Sequence, residues 1–153
     1  MSAPPDLRVT RRRLPHWRLE GSTYFVTFRV LRGELTMAER RATVDHVKSG
    51  HGRFYELIAI VVMPDHAHIL LTPLPGVDLS RITKGTKGAT AHRINELRGA
   101  SGSIWQDESW DRIVRDQAEL DEKLQYMLDN PVRKGLATDG WDYEAFYLNP
   151  QAR

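Results

Sequence analysis

The chain has no cysteine among its 153 residues. Disulfides, thiolate-bound zinc and cysteine nucleophiles are therefore excluded, and nothing points to an oxidising compartment. Long apolar runs are missing too. None approaches the ~20 residues of a membrane span, and the arginines near the N-terminus are not followed by an apolar signal core, so a cytoplasmic location without membrane attachment is expected. Neither sign of charge dominates. With Lys+Arg at 22 and Asp+Glu at 20 the formal net charge is +2, and the isoelectric point is near 9.0. Any nucleic-acid reading must rest on where the charges lie. Internal repeats and low-complexity tracts are absent. The chain is 41% hydrophobic and 27% charged, the composition of an ordinary globular protein with one core.

The most informative stretch runs from Val61 to Pro73. Apolar residues enter it from Leu57 and leave it at Leu71, so it reads as a buried strand pair interrupted only at Pro64-Asp65. Two histidines occupy positions where a core favours valine. Strand side chains alternate with a period of two, so His66 and His68 project from one face and Ala67 and Ile69 from the other. That arrangement suits a shared metal, but a half-exposed pair on an amphipathic strand is about as common for a bare His-x-His, and a third ligand must come from elsewhere.

Around this stretch the organisation is coarse but readable. Residues 1–15 carry Arg8, Arg11, Arg12 and Arg13 with prolines and no hydrophobic periodicity. They are expected to form a flexible basic arm that contacts phosphates, ahead of a single domain over 16–153. Between Trp17 and Val30 the first strand sets Tyr24, Val26 and Phe28 against Phe25, Thr27 and Arg29 on its two faces. Thr36 caps a helix whose N3 residue is Glu39, with Ala38, Ala42, Val44 and Val47 as its apolar positions and His46 and His51 on the surface. Strands follow over Phe54–Met63 and Ala67–Thr72.

Asp78-Leu79-Ser80 starts a second helix rich in Arg81, Lys84, Lys87, Arg93 and Arg98. Gly85 and Gly88 either break it or are compensated by packing of Ile82, Ala91, Ile94 and Leu97. The lysine-glycine spacing is not that of a P-loop, which excludes an NTPase. Ser103–Gln106 and Trp110–Val114 form a fourth strand region around an irregular Asp107-Glu108-Ser109. Gln117–Asp129 is a helix with Leu120, Leu124, Met127 and Leu128 in one stripe. The aromatic tail from Trp141 to Tyr147 packs on the body. The order β-α-ββ-α-β-α predicts an α+β protein: a four-stranded antiparallel sheet backed by helices.

Tyr126 lies about 145° from the centre of that last apolar stripe, at 100° per residue. Asn130, four residues on, shares its flank if the helix runs that far, although Pro131 favours ending the helix in an Asn-Pro turn. Taken singly, an exposed aromatic and a helix-ending turn are the commoner explanations. Together with His66 and His68 they define a possible chemistry. A phenol with pKa ~10 is a poor nucleophile unless developing charge is neutralised nearby. Two imidazoles and an amide oxygen would give a three-ligand divalent site that binds phosphate oxygens. Attack on a phosphodiester would then form a phosphotyrosine bond, which conserves the ester's energy for rejoining to a 3′-hydroxyl.

The chain resembles the REP-associated tyrosine transposases, within the HUH single-strand DNA nucleases. The resemblance covers most of its length. The matching pieces are Tyr24–Arg29, Val62–Leu71 with its Asp65-His66-Ala67-His68, Trp105-Gln106, Asp111–Asp116, and Tyr126–Leu136 with its Asn130-Pro131. The second and last are specific in combination. The resemblance implies a ferredoxin-like fold, His66, His68 and Asn130 as ligands of Mg²⁺ or Mn²⁺, and Tyr126 as nucleophile. It implies hairpin-forming single-stranded DNA as partner and a monomer or homodimer as the working form. Arg11, Arg12, Arg13, Lys84, Lys87, Arg93, Arg112 and Arg115 are the expected DNA contacts, assigned by charge, with the helix of Lys84 to Arg93 flanking the tyrosine helix. Two positions depart from the family pattern: Asp65 stands where asparagine is expected and Arg112 where histidine is frequent.

Three other readings use the same residues. A non-catalytic nucleic-acid-binding domain would keep the fold and the basic stretches. A relaxase or replication initiator shares the histidine and tyrosine logic within a longer chain. A metallohydrolase built on His66, His68 and Asp65 would make Tyr126 dispensable.

Overall fold

Alternation of apolar and polar side chains makes Thr23–Val30 the first strand (β1), with Val26, Phe28 and Val30 buried. The computed structural model describes residues 21–152, so the basic arm with Arg8, Arg11, Arg12 and Arg13, and the expected strand start at Trp17, lie outside the described residues. The apolar stretch centred on the histidines folds as a hairpin of β2 (Tyr55–Val62) and β3 (His66–Pro73). β4 (Trp105–Val114) pairs with β1. The sheet order is β4-β1-β3-β2 with a further strand, β5 (Phe146–Leu148), on the outer edge of β2, and every pairing is antiparallel. The four-stranded core has the split β-α-β connectivity of ferredoxin-like folds. The fifth strand corrects the four-strand expectation. At three residues it is too short to leave a period-two signal, and pairing of Ile60 with Tyr147 defines it.

The helices divide between the two faces of this sheet. On one face Phe28 meets the edge of Trp105 at 4.7 Å between ring centroids, and the Trp105 indole donates to Thr90 of α2 (Leu79–Arg98) at 2.9 Å. Phe25 and Thr27 point the other way, and there Phe25 meets Tyr126 of α3 (Gln117–Arg133) edge-on at 6.3 Å. Strand alternation therefore puts α2 and α3 on opposite sides.

The first helix, α1 (Met37–Ser49), packs beside α2 and starts with a full capping box. Thr36 Oγ1 accepts from the Glu39 N–H and Glu39 Oε1 accepts from the Thr36 N–H, at 3.2 and 2.9 Å. The same carboxylate, 4% exposed, takes two bonds from Arg98 at the end of α2, at 2.8 and 3.0 Å. That pairing holds the Glu39 carboxyl below its ordinary range, against the upward push of burial. The buried face of α1 is Glu39, Thr43, Val44 and Val47. Ala38 is exposed instead. His46 and His51 are half-buried rather than on the surface, and His51 Nδ1 accepts the Leu57 N–H at 2.9 Å.

The structure chooses between the two alternatives for the second helix, and two further elements depart from the sequence pattern for identifiable reasons. α2 runs unbroken through Gly85 and Gly88, both exposed, because Ile82, Thr86, Thr90 and Ile94 bury one face at four-residue spacing. Leu97 stays 44% exposed. α3 continues past Pro131 to Arg133, with Asn130 and Pro131 both buried, so packing outweighs the turn preference of Asn-Pro.

β4 is continuous, but its register slips against β1. Phe28 pairs with Ser109 and Val30 with Trp105. Residues 106–108 bulge out of the ladder, and the Lys87 ammonium gathers the carbonyls this frees: Gln106, Asp107 at 3.0 Å and Glu108 at 3.4 Å, with Ser109 Oγ at 3.0 Å. Burial lowers the pKa of Lys87, with Asp107 opposing that shift. This lysine is a structural tie between α2 and β4. Replacement by methionine keeps the stem and strands the carbonyls, so Lys87→Met should cost about 1–3 kcal/mol in urea unfolding. Equal stability would mean that water replaces the ammonium freely.

Candidate active site

The short β2–β3 connection fixes the histidines. Met63 N–H donates to the His66 carbonyl at 2.7 Å, while the carbonyls of Pro64 and Asp65 accept from Leu35 and Val30 at 2.7 and 2.9 Å. Both imidazoles are buried, His66 at 7% and His68 at 4% exposed, which removes the half-exposed alternative. Opposite them on β1 stand Arg29 and Thr27.

Each ring is held at Nδ1. His66 Nδ1 lies 2.7 Å from Asp65 Oδ1 and His68 Nδ1 lies 2.8 Å from Thr27 Oγ1. An ionised carboxylate only accepts, so His66 carries a proton on Nδ1, which leaves Nε2 as the ring atom facing away from Asp65. The Asp65 carboxyl is pushed up by desolvation, but the hydrogen bond and charge of His66, with Arg29 beside it, bring it net below its ordinary value. A hydroxyl oxygen can likewise receive the Nδ1 proton of His68, leaving its Nε2, buried and without a protein partner, as a free donor atom. Burial, and then the charges of His66, Arg29 and Lys123, lower the His68 pKa to about 3. At neutral pH this ring is uncharged.

The third helix closes the site. Asn130, 3% exposed, sets its amide nitrogen 3.3 Å from His66 Nε2. One turn earlier Tyr126 is 40% exposed, its ring centroid 5.4 Å from that of His68. Phe25 stacks on His68 at 4.8 Å, and the Arg133 guanidinium lies 5.0 Å above the Tyr126 ring. Buried nitrogen donors thus adjoin an accessible phenol.

The charged candidates scatter. Arg112 is exposed on the site face, opposite Phe25 in the β1–β4 register. Arg115 pairs with Glu119 at 3.4 Å where β4 meets α3. Lys84 and Arg93 are exposed on α2, across the sheet from the phenol, and Arg93 pairs with Glu96 at 3.5 Å. α2 therefore does not flank the tyrosine helix. Thr27, Phe25, Arg29, Lys123 and Arg133 were not singled out as site residues from the sequence. The period-two alternation of β1, with Phe25, Thr27 and Arg29 on one face, was the available signal, but it needed the β1–β3 pairing to become informative.

Among the described residues no three His, Asp or Glu side chains converge on a cation position. The donors present are the Nε2 atoms of His66 and His68, with the Asn130 amide, which would ligate through oxygen once turned over. The orphaned Nε2 of the uncharged, buried His68 ring, beside the Nε2 of His66, fits a divalent cation. Asp65 stands behind His66, at Nδ1, where it orients the ring. That position removes it from the ligand side and weakens the His66, His68 and Asp65 metallohydrolase reading. No described helix is long and apolar enough to cross a membrane.

A family model described as "Transposase IS200 like" matches residues 30–117, a span that holds both histidines and stops before Tyr126 and Asn130. A REP-associated tyrosine transposase of Haemophilus influenzae is 28% identical over 111 residues, 64% of this chain, and the chain spans 62% of that relative's length. One of Escherichia coli is 27% identical over 136 residues, covering 84% of this chain and 79% of the relative. A solved structure of a REP-associated tyrosine transposase bound to a REP hairpin superposes with a TM-score of 0.62 at 25% identity, over 84% of this chain and 77% of the other. More than half of the chain falls within the family model, and the fold agrees with that solved relative: this chain belongs to the IS200-like transposase family.

Proposed function

We propose that the chain is a metal-dependent strand transferase that cuts and rejoins single-stranded DNA at a hairpin like the REP element bound by its solved relative. The observation that carries this reading is the accessible Tyr126 phenol against two buried imidazoles, each anchored at Nδ1. His66, His68 and Asn130 would hold a cation, Mg²⁺ or Mn²⁺, which when bound supplies charge neutralisation at the phosphate oxygens.

The protein's own groups account for the rest. Asp65 and Thr27 hold the two imidazoles in the tautomers that present Nε2. Phe25 covers the flat face of His68 and keeps water from it. The Tyr126 oxygen attacks phosphorus as the bond from phosphorus to the 3′-oxygen breaks. The products are a phosphotyrosine ester and a 3′-hydroxyl. Attack by that hydroxyl, or another, reverses the step and releases the phenol. Arg133, over the tyrosine ring, sets a positive charge where the phosphate must approach.

Incubation with an end-labelled REP-type hairpin and Mn²⁺, followed by denaturing electrophoresis, tests this directly. Wild type should give a covalent protein–DNA adduct and Tyr126→Phe none, with hairpin affinity kept within a few-fold. Cleavage by the Phe variant at the normal rate would replace the tyrosine with water as nucleophile. Binding without any adduct from wild type would leave a non-catalytic DNA-binding domain.

The ring anchors give a second prediction. Thr27→Val and Asp65→Ala should each weaken Mn²⁺ binding about 10–100-fold in calorimetry, the usual effect of removing an outer partner of a ligating histidine. Asp65→Asn should retain most of the affinity, because an amide oxygen also accepts the Nδ1 proton. Unaltered binding in both anchor variants would remove these histidines from the metal site.

A further inference from the structure

The Tyr126 side of the sheet extends beyond the histidines to the exposed edge strand. Trp110 pairs with Thr27, and Thr27 pairs with His68, so the three residues form one row across β4, β1 and β3. Residues directly opposite in antiparallel strands share a face. The Trp110 indole therefore lies on the site face, two strand spacings or about 10 Å from His68. It is 46% exposed, among the largest apolar surfaces left uncovered on the described residues.

Its neighbours on that face are cationic. Arg112 is two residues along β4 and opposite Phe25. The Lys123 ammonium sits 5.2 Å over the Phe25 ring. Arg29 lies opposite His66. Asp111, next to Trp110, alternates to the opposite face, where it stands across from Val26, and Glu108, two residues before Trp110, is the nearest acid of β4 with the Trp110 parity, so a polyanion would leave past Arg112 and not past Glu108. An exposed aromatic edged by cations, in register with the histidine that adjoins Tyr126, matches what a single strand recognises: a π-surface for a base and charges for its phosphates. A protein partner adding a strand to the β4 edge would have no use for that charge.

We propose that Trp110 is a stacking platform for a nucleobase flanking the phosphate at Tyr126, with Arg112 on the adjoining phosphate. The assignment deepens the strand-transferase reading and rests on it for the direction of the DNA. It makes Trp110 a binding residue that positions the strand for attack, with no role in the chemistry.

The test uses the full chain and measures binding, without added metal, of a labelled oligothymidylate and of an abasic strand of equal length and charge. Trp110→Ala should weaken oligothymidylate binding roughly tenfold or more and leave abasic-strand binding unchanged, since stacking needs a base. Trp110→Phe should restore most of the loss. The salt slope should stay the same in both Trp110 variants, while Arg112→Ala should make it shallower by about 0.7. Undiminished affinity in Trp110→Ala, or an equal loss on both strands, would overturn the platform. So would a fall in molecular mass of the free protein in the variant, because Trp110 would then lie between two copies of the chain. The hairpin adduct assay on wild type is read separately. No adduct would remove the transferase reading while the base-dependent binding still decided the platform, and an adduct with base-independent binding would do the reverse.

Discussion

Two imidazoles buried on a central strand need partners at their ring nitrogens, and this requirement organises the site. The sheet meets half of it. Thr27 on β1 and Asp65 in the β2–β3 turn take the two Nδ1 atoms, which turns both Nε2 atoms toward α3. The Thr27 bond exists only because β1 pairs with β3 in the register that sets Thr27 opposite His68. A slip of one residue would put Phe28 or Val26 there and send the hydroxyl to the other face. The register in turn is held by the core behind it, where Val26, Phe28, Ala67 and Ile69 are all almost fully buried. Chemistry on one face is thus specified by packing on the other.

The unmet half is His68 Nε2. A buried polar atom without a partner costs about 1–3 kcal/mol, and native interiors keep few of them. The protein bears this cost next to its most accessible tyrosine, where a ligand would remove it. Asn130 meets the corresponding atom of His66 from a helix position that Pro131 ought to disfavour. α3 accepts that conflict because Leu120, Leu124, Met127 and Leu128 bury its stripe along the sheet and carry the last turn with them.

Legibility from sequence followed the range of the interactions. The His-x-His alternation, the Thr36–Glu39 capping box and the leucine stripe of α3 are set within a few residues, and each could be read directly. The off-stripe angle of Tyr126 matched its exposure for the same reason. What escaped depends on pairing between distant segments. Thr27 became an anchor through a contact 41 positions away, and Lys87 became a structural tie through a bulge that forms only when β4 meets β1. A charge count sees Lys87 and Lys84 as equals. Geometry separates the one that turns inward from the one that faces water.

Partition of the helices between the faces also divides the charges by task. A phosphate at Tyr126 can be met from Arg29, Arg133, Lys123 and Arg112, which border the site side of the sheet. Lys84 and Arg93 lie on the other side of the sheet from that point. With a Debye length of about 8 Å at physiological salt, exposed charges that far off cannot steady a phosphate there. They can reach only nucleic acid that passes around the β4 edge to the α2 face, as the stem of a hairpin longer than the site would do. In such an arrangement a strand at Tyr126 and a duplex joined to it would contact different faces. Affinity contributed by α2 could then change without altering the geometry at the tyrosine, because Phe28, Trp105 and Thr90 stand between the two surfaces as packed core.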